Sequence, residues 1–437
     1  MPESPQLQNW LAAIEALHPG DIELGLERVG AVAGRMGLSP APLPVVLVGG
    51  TNGKGSVLAF LEEALIAAGH RVAGYTSPHL FRFSERIRVE GRPVPDNVLI
   101  SAFEAVEAAR EGTPLTYFEF ATLAAMAVFA ERADLALLEV GLGGRLDAVN
   151  IWDPEVSVIT SVDLDHQDFL GRDRESIGAE KAGILRPDVP AVCGDGDPPQ
   201  SLLAGSNSGM MVQGRDFRGE PTNGQWYWVG GSERLGPLPR PRLAGDYQLR
   251  NAATAITTGR QLPVGFQPSV EAWRQSLPTA SVPGRGQVIE GPVPVWLDVA
   301  HNPSAAGELA RLLEQQPVTG RTLAVFGAMR DKLVSEVVGA MAGAVDRWYP
   351  CGIAMDRALS GPELVECLHV DRARVAAPAT GPVAALEAAR ANAGEGDRIL
   401  AFGSFMVVAA VLESMDAVPA VQAKGGNTLG ASDERPR

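Results

Sequence analysis

The sequence predicts a two-domain α/β protein with mainly parallel sheets, and three observations lead to that class. Short apolar runs bounded by Gly, Pro or Asp alternate with amphipathic helical stretches along most of the chain. This alternation is typical of parallel strands joined by crossover helices. With 437 residues, the chain is too long for one compact core of ordinary size. The alternation is also interrupted near residue 280 and then resumes, which suggests a second unit.

The clearest unit in the first half is a strand, a glycine-rich turn and a helix. Residues 45–48 form an apolar run, and apolar side chains then recur at helical spacing from Val57 until Gly69, which suits a helix C-cap. Residues 135–140 and 156–160 predict two further strands, each ending in polar residues. Because parallel strands share a carboxyl edge, we expect the chemistry of the protein at that edge.

Residues 193–243 depart from this pattern, since they are rich in Gly, Pro, Asn and aromatic residues. Within them, residues 225–229 predict a short antiparallel strand. We interpret the region as an insertion or a sheet edge. A helix is predicted next, at residues 247–260.

A domain boundary is predicted where Pro278, Pro283, Gly284 and Gly286 interrupt the alternation. Three more strands are predicted after it, at Val295–Asp298, Thr322–Phe326 and Arg398–Phe402. The last residues are Gly-rich and polar, with little apolar surface to offset the cost of ordering them. We therefore predict an N-terminal domain at 1–282, a smaller Rossmann-like C-terminal domain at 283–422 and a disordered tail at 423–437.

Composition excludes several classes of function. The 52 acidic and 37 basic residues give a net charge of -15, which repels nucleic acid. No apolar run approaches the ~18 residues of a membrane span, and the N-terminus lacks the features of a signal peptide. Cys193, Cys351 and Cys367 are widely spaced without a CxxC pair, which argues against disulfides and zinc and for buried thiols. We expect a cytoplasmic monomer without nucleic-acid or membrane partners.

The strongest local signal is residues 49–56, Gly-Gly-Thr-Asn-Gly-Lys-Gly-Ser, between the first strand and helix. Glycines allow backbone amides to surround an anion, Lys54 adds a charge for the outer phosphates, and Ser56 can hold Mg²⁺. The segment departs from strict P-loop spacing, because Val48 occupies the first glycine position and Gly55 separates Lys54 from Ser56. An ordinary glycine-rich turn is the alternative. The order of the parts favours an ATP-binding P-loop domain.

Polar side chains follow the next two predicted strands. Glu139 ends one of them beside a flexible loop, where a carboxylate suits Mg²⁺. His166 follows the other, among Asp163, Asp165 and Asp168, so a second cation site between the strand ends is reasonable. The alternatives are a surface carboxylate for Glu139, a structural histidine, and turn and N-cap roles for the three aspartates.

These motifs together resemble the bacterial folate ligases, the dihydrofolate synthase/folylpolyglutamate synthase family, which is related to the peptidoglycan Mur ligases. The matching blocks are GTNGKGS at 50–56, YTSPHL at 75–80, SERI at 84–87, LTYFE at 115–119, residues 139–150, DH at 165–166, EKAGI at 180–184, GR at 284–285 and DVAHNP at 298–303. The segment HQDFLG at 166–171 departs mildly from the usual His-Thr-Asp-Trp, and residues 193–243 contain no motif of the family.

The resemblance implies ATP as co-substrate and two Mg²⁺ ions. One ion would bind Ser56 and Glu139 at the P-loop. The other would bind Glu139, His166 and a carbamylated Lys181, and Ser77 is a further candidate ligand. Addition of CO₂ would turn Lys181 into an anionic oxygen ligand, whereas the sequence alone favours a surface cation on a helix.

The resemblance also implies the nucleotide site and the residues at the reacting groups. ATP would contact Thr51, Asn52, Gly53, Lys54, Gly55, Ser56, Asn251, Arg285 and Asp298. His301 would lie near the phosphoryl-transfer centre or the incoming glutamate, so Lys54, Lys181 and His301 are the candidate catalytic residues. Taken singly, Asn251, Arg285 and His301 also suit a helix start, a linker and a turn.

A pterin site is implied by Thr116, Tyr117, Phe118, Arg145 and Asp147, which offer aromatic faces and a carboxylate. The alternative is that Tyr117 and Phe118 are core residues at a helix start.

The implied activity is ATP-dependent ligation of L-glutamate to dihydropteroate, and to the γ-carboxyl group of tetrahydrofolates, through an acyl phosphate. Two alternatives are a Mur-type ligase for a different carboxylate and a P-loop protein that hydrolyses nucleotide without ligation.

Overall fold

The computed structural model describes residues 3–17, 23–206 and 209–415, so the predicted tail at 423–437 lies outside the described residues. Its helices are α1 Pro5–Leu17, α2 Glu27–Arg35, α3 Lys54–Ala67, α4 Asp96–Arg110, α5 Tyr117–Arg132, α6 Gln167–Leu170, α7 Arg174–Ala182, α8 Gln200–Ala204, α9 Asp246–Gln261, α10 Val270–Ser276, α11 Pro303–Gln315, α12 Val334–Met341, α13 Gly361–Cys367, α14 Pro382–Asn392 and α15 Phe405–Ser414. Short 3-10 helices lie at Phe83–Arg86, Ala148–Ile151, Val264–Phe266 and Arg372–Arg374.

The main sheet has eight strands. They are β1 Val45–Gly49, β2 Val72–Tyr75, β3 Ile87–Val89, β4 Arg92–Pro93, β5 Leu135–Glu139, β6 Val156–Ile159, β7 Ala191–Cys193 and β8 Met211–Val212. Their order is β4-β3-β2-β5-β1-β6-β7-β8, parallel from β2 to β8 and antiparallel at β3 and β4. The strands predicted at 45–48, 135–140 and 156–160 are confirmed within one residue.

A three-stranded antiparallel sheet follows in the region that lacks motifs. Its strands are β9 Phe217–Thr222, β10 Gln225–Gly230 and β11 Glu233–Pro239, and β10 lies in the middle. The antiparallel strand predicted at 225–229 is therefore confirmed. The buried rings of Trp226 and Trp228 join this sheet to the core that also contains α9.

The third sheet has five strands from the second half of the chain. They are β12 Gln287–Ile289, β13 Val295–Asp298, β14 Thr322–Phe326, β15 Arg347–Pro350 and β16 Arg398–Phe402, in the order β12-β13-β16-β14-β15. All neighbours are parallel except β12 and β13. We call elements α1 to α10 the first lobe and residues 284–415, which contain β12 to α15, the second lobe. The exact domain limits remain a prediction.

Both faces of the main sheet are covered, which explains the continuous apolar runs. Along β1, Val45 and Leu47 face a core that includes α4 and α5, whereas Val46 and Val48 face a core that includes α3 and α9. Strands buried on both faces need apolar side chains at every position. The five-stranded sheet is covered on both faces in the same way. The α/β class with a large, parallel-rich sheet and a second, smaller sheet domain is thus confirmed.

Candidate active site

The carboxyl ends of four neighbouring strands, β2, β5, β1 and β6, open onto a cavity of about 110 Å³. Nine of the predicted site residues line it: Thr51, Asn52, Lys54, Ser77, Glu139, His166, Lys181, Arg285 and His301. The rest of its wall is formed by Gly50, Pro78, residues 140–143, Asp165, Leu170 and Phe405. The cavity therefore lies between the two lobes, at the sheet edge where we expected the chemistry.

Two glycines shape the turn between β1 and α3. Gly50 has a φ of 140° and Gly53 a φ of 89°, which residues with a Cβ rarely adopt. A Cβ on Gly50 would collide with Thr160, and one on Gly53 would lie 2.8 Å from Asn251 Oδ1. Gly53 precedes α3, so the amides of residues 54–56 have no acceptor within the helix. These amides and the helix dipole form an anion-binding cradle, with Ser56 buried in its first turn.

Lys54 begins α3 just after β1, and Glu139 ends the adjacent strand β5, so the two bring opposite charges into the cavity. The Lys54 ammonium donates hydrogen bonds to the carbonyls of Gly50 at 2.9 Å and Thr51 at 3.3 Å. Glu139 accepts one from the Ser77 amide at 3.2 Å. Burial lowers the pKa of Lys54 and raises the pKa of Glu139, and the attraction between the two charges opposes both shifts.

Lys181 and His166 complete the polar wall on the other side. Lys181 lies in the last turn of α7 and is only 3% exposed, yet its ammonium forms no hydrogen bond or ion pair with another described residue. Burial, together with repulsion from Lys54, lowers the pKa of Lys181 to about 7. Burial also lowers the pKa of His166 to about 4, so its imidazole is neutral near pH 7 and can bind a metal.

The second lobe contributes Arg285, His301 and Phe405 to the cavity. The Arg285 guanidinium lies 5.9 Å from the centre of the Phe405 ring, and the His301 ring lies 6.2 Å from it. His301 Nδ1 lies 2.9 Å from the carbonyl oxygen of Val299. Phe405 thus lies beside both Arg285, whose charge can bind an anion, and His301, and all three face the cavity.

Asp165 connects the two lobes. Its carboxylate accepts hydrogen bonds from Lys332 Nζ at 2.6 Å and Asn302 Nδ2 at 3.2 Å, and it lies 3.3 Å from His301 Nε2. Burial acts to raise the pKa of Asp165, but the contact with His301 and the charge of Lys332 outweigh it and hold that pKa well below its usual range. The other two aspartates differ: Asp163 accepts a hydrogen bond from its own loop and Asp168 is exposed.

Asp298 and Asn251 lie beyond the cavity. Asp298 ends β13, and its carboxylate accepts hydrogen bonds from the amides of Gly286 and Ala300, both at 2.8 Å. Burial raises the pKa of Asp298, and the charge of Arg285 opposes this shift. A second cavity of about 230 Å³ lies between α9 and α11, and it is lined by Gly245, Asp246, Tyr247, Arg250, Glu308, Arg311, Leu312 and Gln315. Asn251 therefore lies between the cradle and this second cavity.

Two of the predicted pterin residues support the wall of the first cavity from behind. The Phe118 ring packs against Gly141, where an added Cβ would lie 2.8 Å from it. Asp147 accepts a hydrogen bond from the Leu142 amide at 2.8 Å, and burial raises its pKa to about 6. Gly141 and Leu142 themselves line the cavity.

The other three predicted pterin residues interact with their own neighbours. Thr116 N-caps α5. The Tyr117 ring lies 5.5 Å from the Arg86 guanidinium, and burial raises the pKa of Tyr117 to about 12. Arg145 forms an ion pair with Glu180 at 2.9 Å and is largely exposed. Their roles in binding pterin stay a prediction.

Sequence reasoning missed Phe405 and Lys332 and gave Asp165 only a secondary role. Phe405 follows β16 just as Lys54 follows β1, so the rule that placed the other residues at strand ends could have found it. Lys332 lies before α12, where no local pattern marks it. The free cysteines were expected to be buried, and Cys193 and Cys351 are, whereas Cys367 is intermediate.

Comparison with known proteins identifies the family. The chain is 41% identical over 416 residues to the dihydrofolate synthase/folylpolyglutamate synthase of Escherichia coli (strain K12), covering 94% of this chain and 96% of that protein. The chain belongs to the dihydrofolate synthase/folylpolyglutamate synthase family. Residues 284–405 also match the Mur ligase, glutamate ligase domain. The predicted resemblance to the folate ligases is confirmed, and the chain is a ligase.

Solved structures of this family share the fold along nearly the whole chain. E. coli FolC in complex with DHPP and ADP has a TM-score of 0.88 at 40% identity and covers 95% of this chain and 99% of its own. A bifunctional folylpolyglutamate synthase/dihydrofolate synthase with Mn, AMPPNP and L-glutamate bound has a TM-score of 0.85 at 40% identity, covering 95% and 99%. In the part of the chain that the structure describes, no helix is long and apolar enough to cross a membrane.

Proposed function

We propose that this ligase joins L-glutamate to dihydropteroate, giving dihydrofolate, and to the γ-carboxyl group of tetrahydrofolates, with ATP as co-substrate. The observation that supports this most is the shared cavity. It combines the phosphate cradle and Glu139 of the first lobe with Arg285 and His301 of the second. A relative with the same fold binds ADP and DHPP, and another binds AMPPNP and L-glutamate.

In the proposed reaction the substrate carboxylate attacks the γ-phosphorus of ATP, which gives an acyl phosphate and ADP. The glutamate amine then attacks the acyl carbon, and phosphate leaves as the amide forms. The role of the protein is to position the reactants and neutralise their charge. Lys54 and the cradle amides would bind the phosphates, while Arg285 and His301 would approach the transferred group from the second lobe.

We propose that two Mg²⁺ ions bind in this cavity, with ligands drawn from Ser56, Ser77, Glu139, His166 and Lys181. Among the described residues, no cluster of three or more His, Cys, Asp or Glu side chains is arranged to hold a metal. The donors present nevertheless fit a hard cation that keeps waters and uses phosphate oxygens as ligands. When bound, the ions would neutralise the charge of the triphosphate.

Carbamylation of Lys181 would supply the missing anionic ligand. CO₂ reacts with a neutral amine, and a buried lysine with a pKa of about 7 is substantially neutral at physiological pH. The absence of a partner for its ammonium among the described residues is explained if the bound form is a carbamate.

We propose that the triphosphate lies in the cradle and that the nucleoside extends past Asn251 and Asp298 toward the second cavity. Arg250, one residue before Asn251, lines that cavity, and Tyr247 from the same helix turn lies near Asp298. The pterin would then lie on the opposite side, near Phe118 and Asp147. A cytoplasmic location and a monomeric state stay predictions.

An omission assay tests this function. Release of ADP is measured with ATP, dihydropteroate and L-glutamate, and each component is left out in turn. We expect full turnover only when all three are present, with one dihydrofolate formed per ADP. Activity with a different acid but not with dihydropteroate would indicate a Mur-type ligase for another substrate. ADP release that does not depend on glutamate would indicate a nucleotide hydrolase.

A further inference from the structure

Asp165 is the side chain that joins the first lobe to the second at the active-site cavity, while a separate ion pair, Arg250 with Glu308 at 2.6 Å, joins α9 to α11. Asp165 lies in the turn after β6, whereas its three side-chain partners, His301, Asn302 and Lys332, all belong to the second lobe. The proposed mechanism for the ligase does not use Asp165 or Lys332.

Burial makes this contact different from an ordinary surface ion pair. The Asp165 side chain is 8% exposed and the Lys332 side chain 10% exposed. Exposed ion pairs contribute little to stability, but removing one partner from a buried pair leaves a charge without compensation. If the lobes separated, both side chains would be hydrated and the ion pair between them would be broken. Removing either side chain would therefore penalise the closed arrangement specifically, because the remaining charge would be buried there without its partner.

A second contact lies beside the first and reaches the phosphate cradle. The amides of Asn52 and Asn302 exchange two hydrogen bonds, at 3.1 and 3.0 Å. Asn302 also N-caps α11 by accepting a hydrogen bond from Ala305 N at 3.0 Å. The Asn302 side chain, which donates a hydrogen bond to Asp165, is thus bound both to the cradle and to the start of α11.

We propose that Asp165 is a positioning residue that latches the two lobes closed and fixes the ring of His301 at the reaction site. The ring is held at both nitrogens, by the Val299 carbonyl and by Asp165. A latched lobe would keep water from the acyl phosphate until glutamate reacts. The inference rests on the proposed function for that last step only, because closure itself can be measured without turnover.

Closure is tested by small-angle X-ray scattering of the full chain with AMPPNP and Mg²⁺. We expect Asp165→Asn to give a larger radius of gyration than the wild type. The matched control is Asp163→Asn, because the Asp163 side chain is in the same turn but accepts its hydrogen bond from the neighbouring Leu164 amide, and the contacts of Asp163 with Thr51 use only its backbone, which the variant keeps. We expect the control to match the wild type. Equal radii for all three proteins would overturn the latch, whether or not the chain ligates folates.

The chemical consequence is tested by the stoichiometry of turnover. For Asp165→Asn we expect kcat to fall by about tenfold or more. ADP released per glutamate ligated is expected to rise above one, while the Kd for ADP with Mg²⁺ stays within about twofold of wild type. A merely structural defect would lower the amount of active protein without changing that ratio. A large loss of ADP affinity would show that Asp165 serves the nucleotide or metal site, and it would overturn the proposal.

Lys332→Ala provides the second variant, which keeps the proposal testable if Asp165→Asn does not fold. We expect the same uncoupling, and we expect the double variant to be no worse than either single one, because both changes break one contact. Multiplying effects would overturn the latch. So would a higher KM for glutamate in Lys332→Ala that Asp165→Asn does not share, since the two side chains would then act separately.

Discussion

The first-lobe wall of the cavity and the second-lobe side differ in whether their charged side chains form ion pairs. On the first-lobe wall, Glu139 and Lys181 are buried and Lys54 is partly buried, and none of the three forms an ion pair within 4.0 Å in the described part of the chain. On the second-lobe side, His301 and Lys332 are both bound to Asp165. The first-lobe wall thus carries charges without ion pairs, whereas the interface beside it gathers its polar side chains around one carboxylate.

The difference separates binding from closure. Buried charges without partners are costly, so a fold retains them where a ligand will supply the counter-charge. The first-lobe wall is therefore suited to phosphate and metal. His301 and Lys332 reach Asp165 only when the lobes meet, so this contact contributes to closure, whereas Arg285 forms no ion pair within 4.0 Å among the described residues and stays available to a ligand. Variants on the two walls are expected to fail in different ways.

The largest effect is expected for Lys54→Met on the first-lobe wall. Ligation is expected to fall by about a thousandfold or more, because the phosphates lose their principal cation in a low-dielectric site. The free energy of unfolding is expected to stay the same or rise, since burial of this ammonium disfavours its charge. Initial rates and urea unfolding measure the two effects.

Arg71→Ala is the control for Lys54→Met. It removes another cation, but one that is exposed and paired with Asp134, away from the cavity. We expect wild-type rates. Normal ligation by Lys54→Met would contradict the phosphate site itself.

Lys181→Met is expected to combine a loss of activity of about a hundredfold with a gain in stability. The pKa of Lys181 is lowered from its ordinary value of 10.5 to about 7. Below about pH 7, Lys181 is protonated in both the folded and the unfolded protein, so folding carries the full free-energy cost of burying the charged ammonium. Between about pH 7 and 10.5 only the unfolded chain keeps the proton. The destabilisation by Lys181 therefore decreases as the pH rises through this range. The gain is therefore expected to be on the order of a few kcal/mol at about pH 6 and smaller at about pH 9.

Urea unfolding in CO₂-free buffer at the two pH values measures this gain. Ile177→Met is the matched control, because it places the same side chain at a buried position of the same helix without removing a charge. Its effect is expected to be independent of pH. A gain for Lys181→Met that is equal at both pH values would show that the charge of Lys181 is not what the fold opposes.

Most of the first-lobe wall could be predicted from local patterns, except Lys181: the sequence alone favours a surface cation there, which is wrong, because the side chain is 3% exposed. Strand β1 is buried on both faces and ends at glycines, so its apolar run marks it within one residue. The shared carboxyl edge of parallel strands then brings Lys54, Glu139 and His166 together without any knowledge of distant contacts.

The closure contacts could not be predicted in this way. Lys332 meets Asp165 from 167 residues away in sequence, and only the meeting of the lobes brings the two together. The sequence also did not show that nearby groups bind two of the predicted pterin residues: the Arg145 guanidinium pairs with Glu180, and Thr116 caps its own helix. A motif identifies the residue types, but neighbouring side chains decide where each one points.

The smallest effect is expected where the first-lobe wall ends, at the aromatic pair Tyr117 and Phe118. Phe118 packs against Gly141 in the cavity wall, whereas Tyr117 lies under Arg86. Phe118→Leu is therefore expected to raise the KM for dihydropteroate about two- to tenfold, the range for loss of one aromatic contact, with the KM for ATP unchanged. Tyr117→Phe, the matched control, keeps its ring and is expected to change neither constant. If Tyr117→Phe raised the KM for dihydropteroate and Phe118→Leu did not, the pterin would lie against Tyr117 and Arg86, outside the first-lobe wall of the cavity.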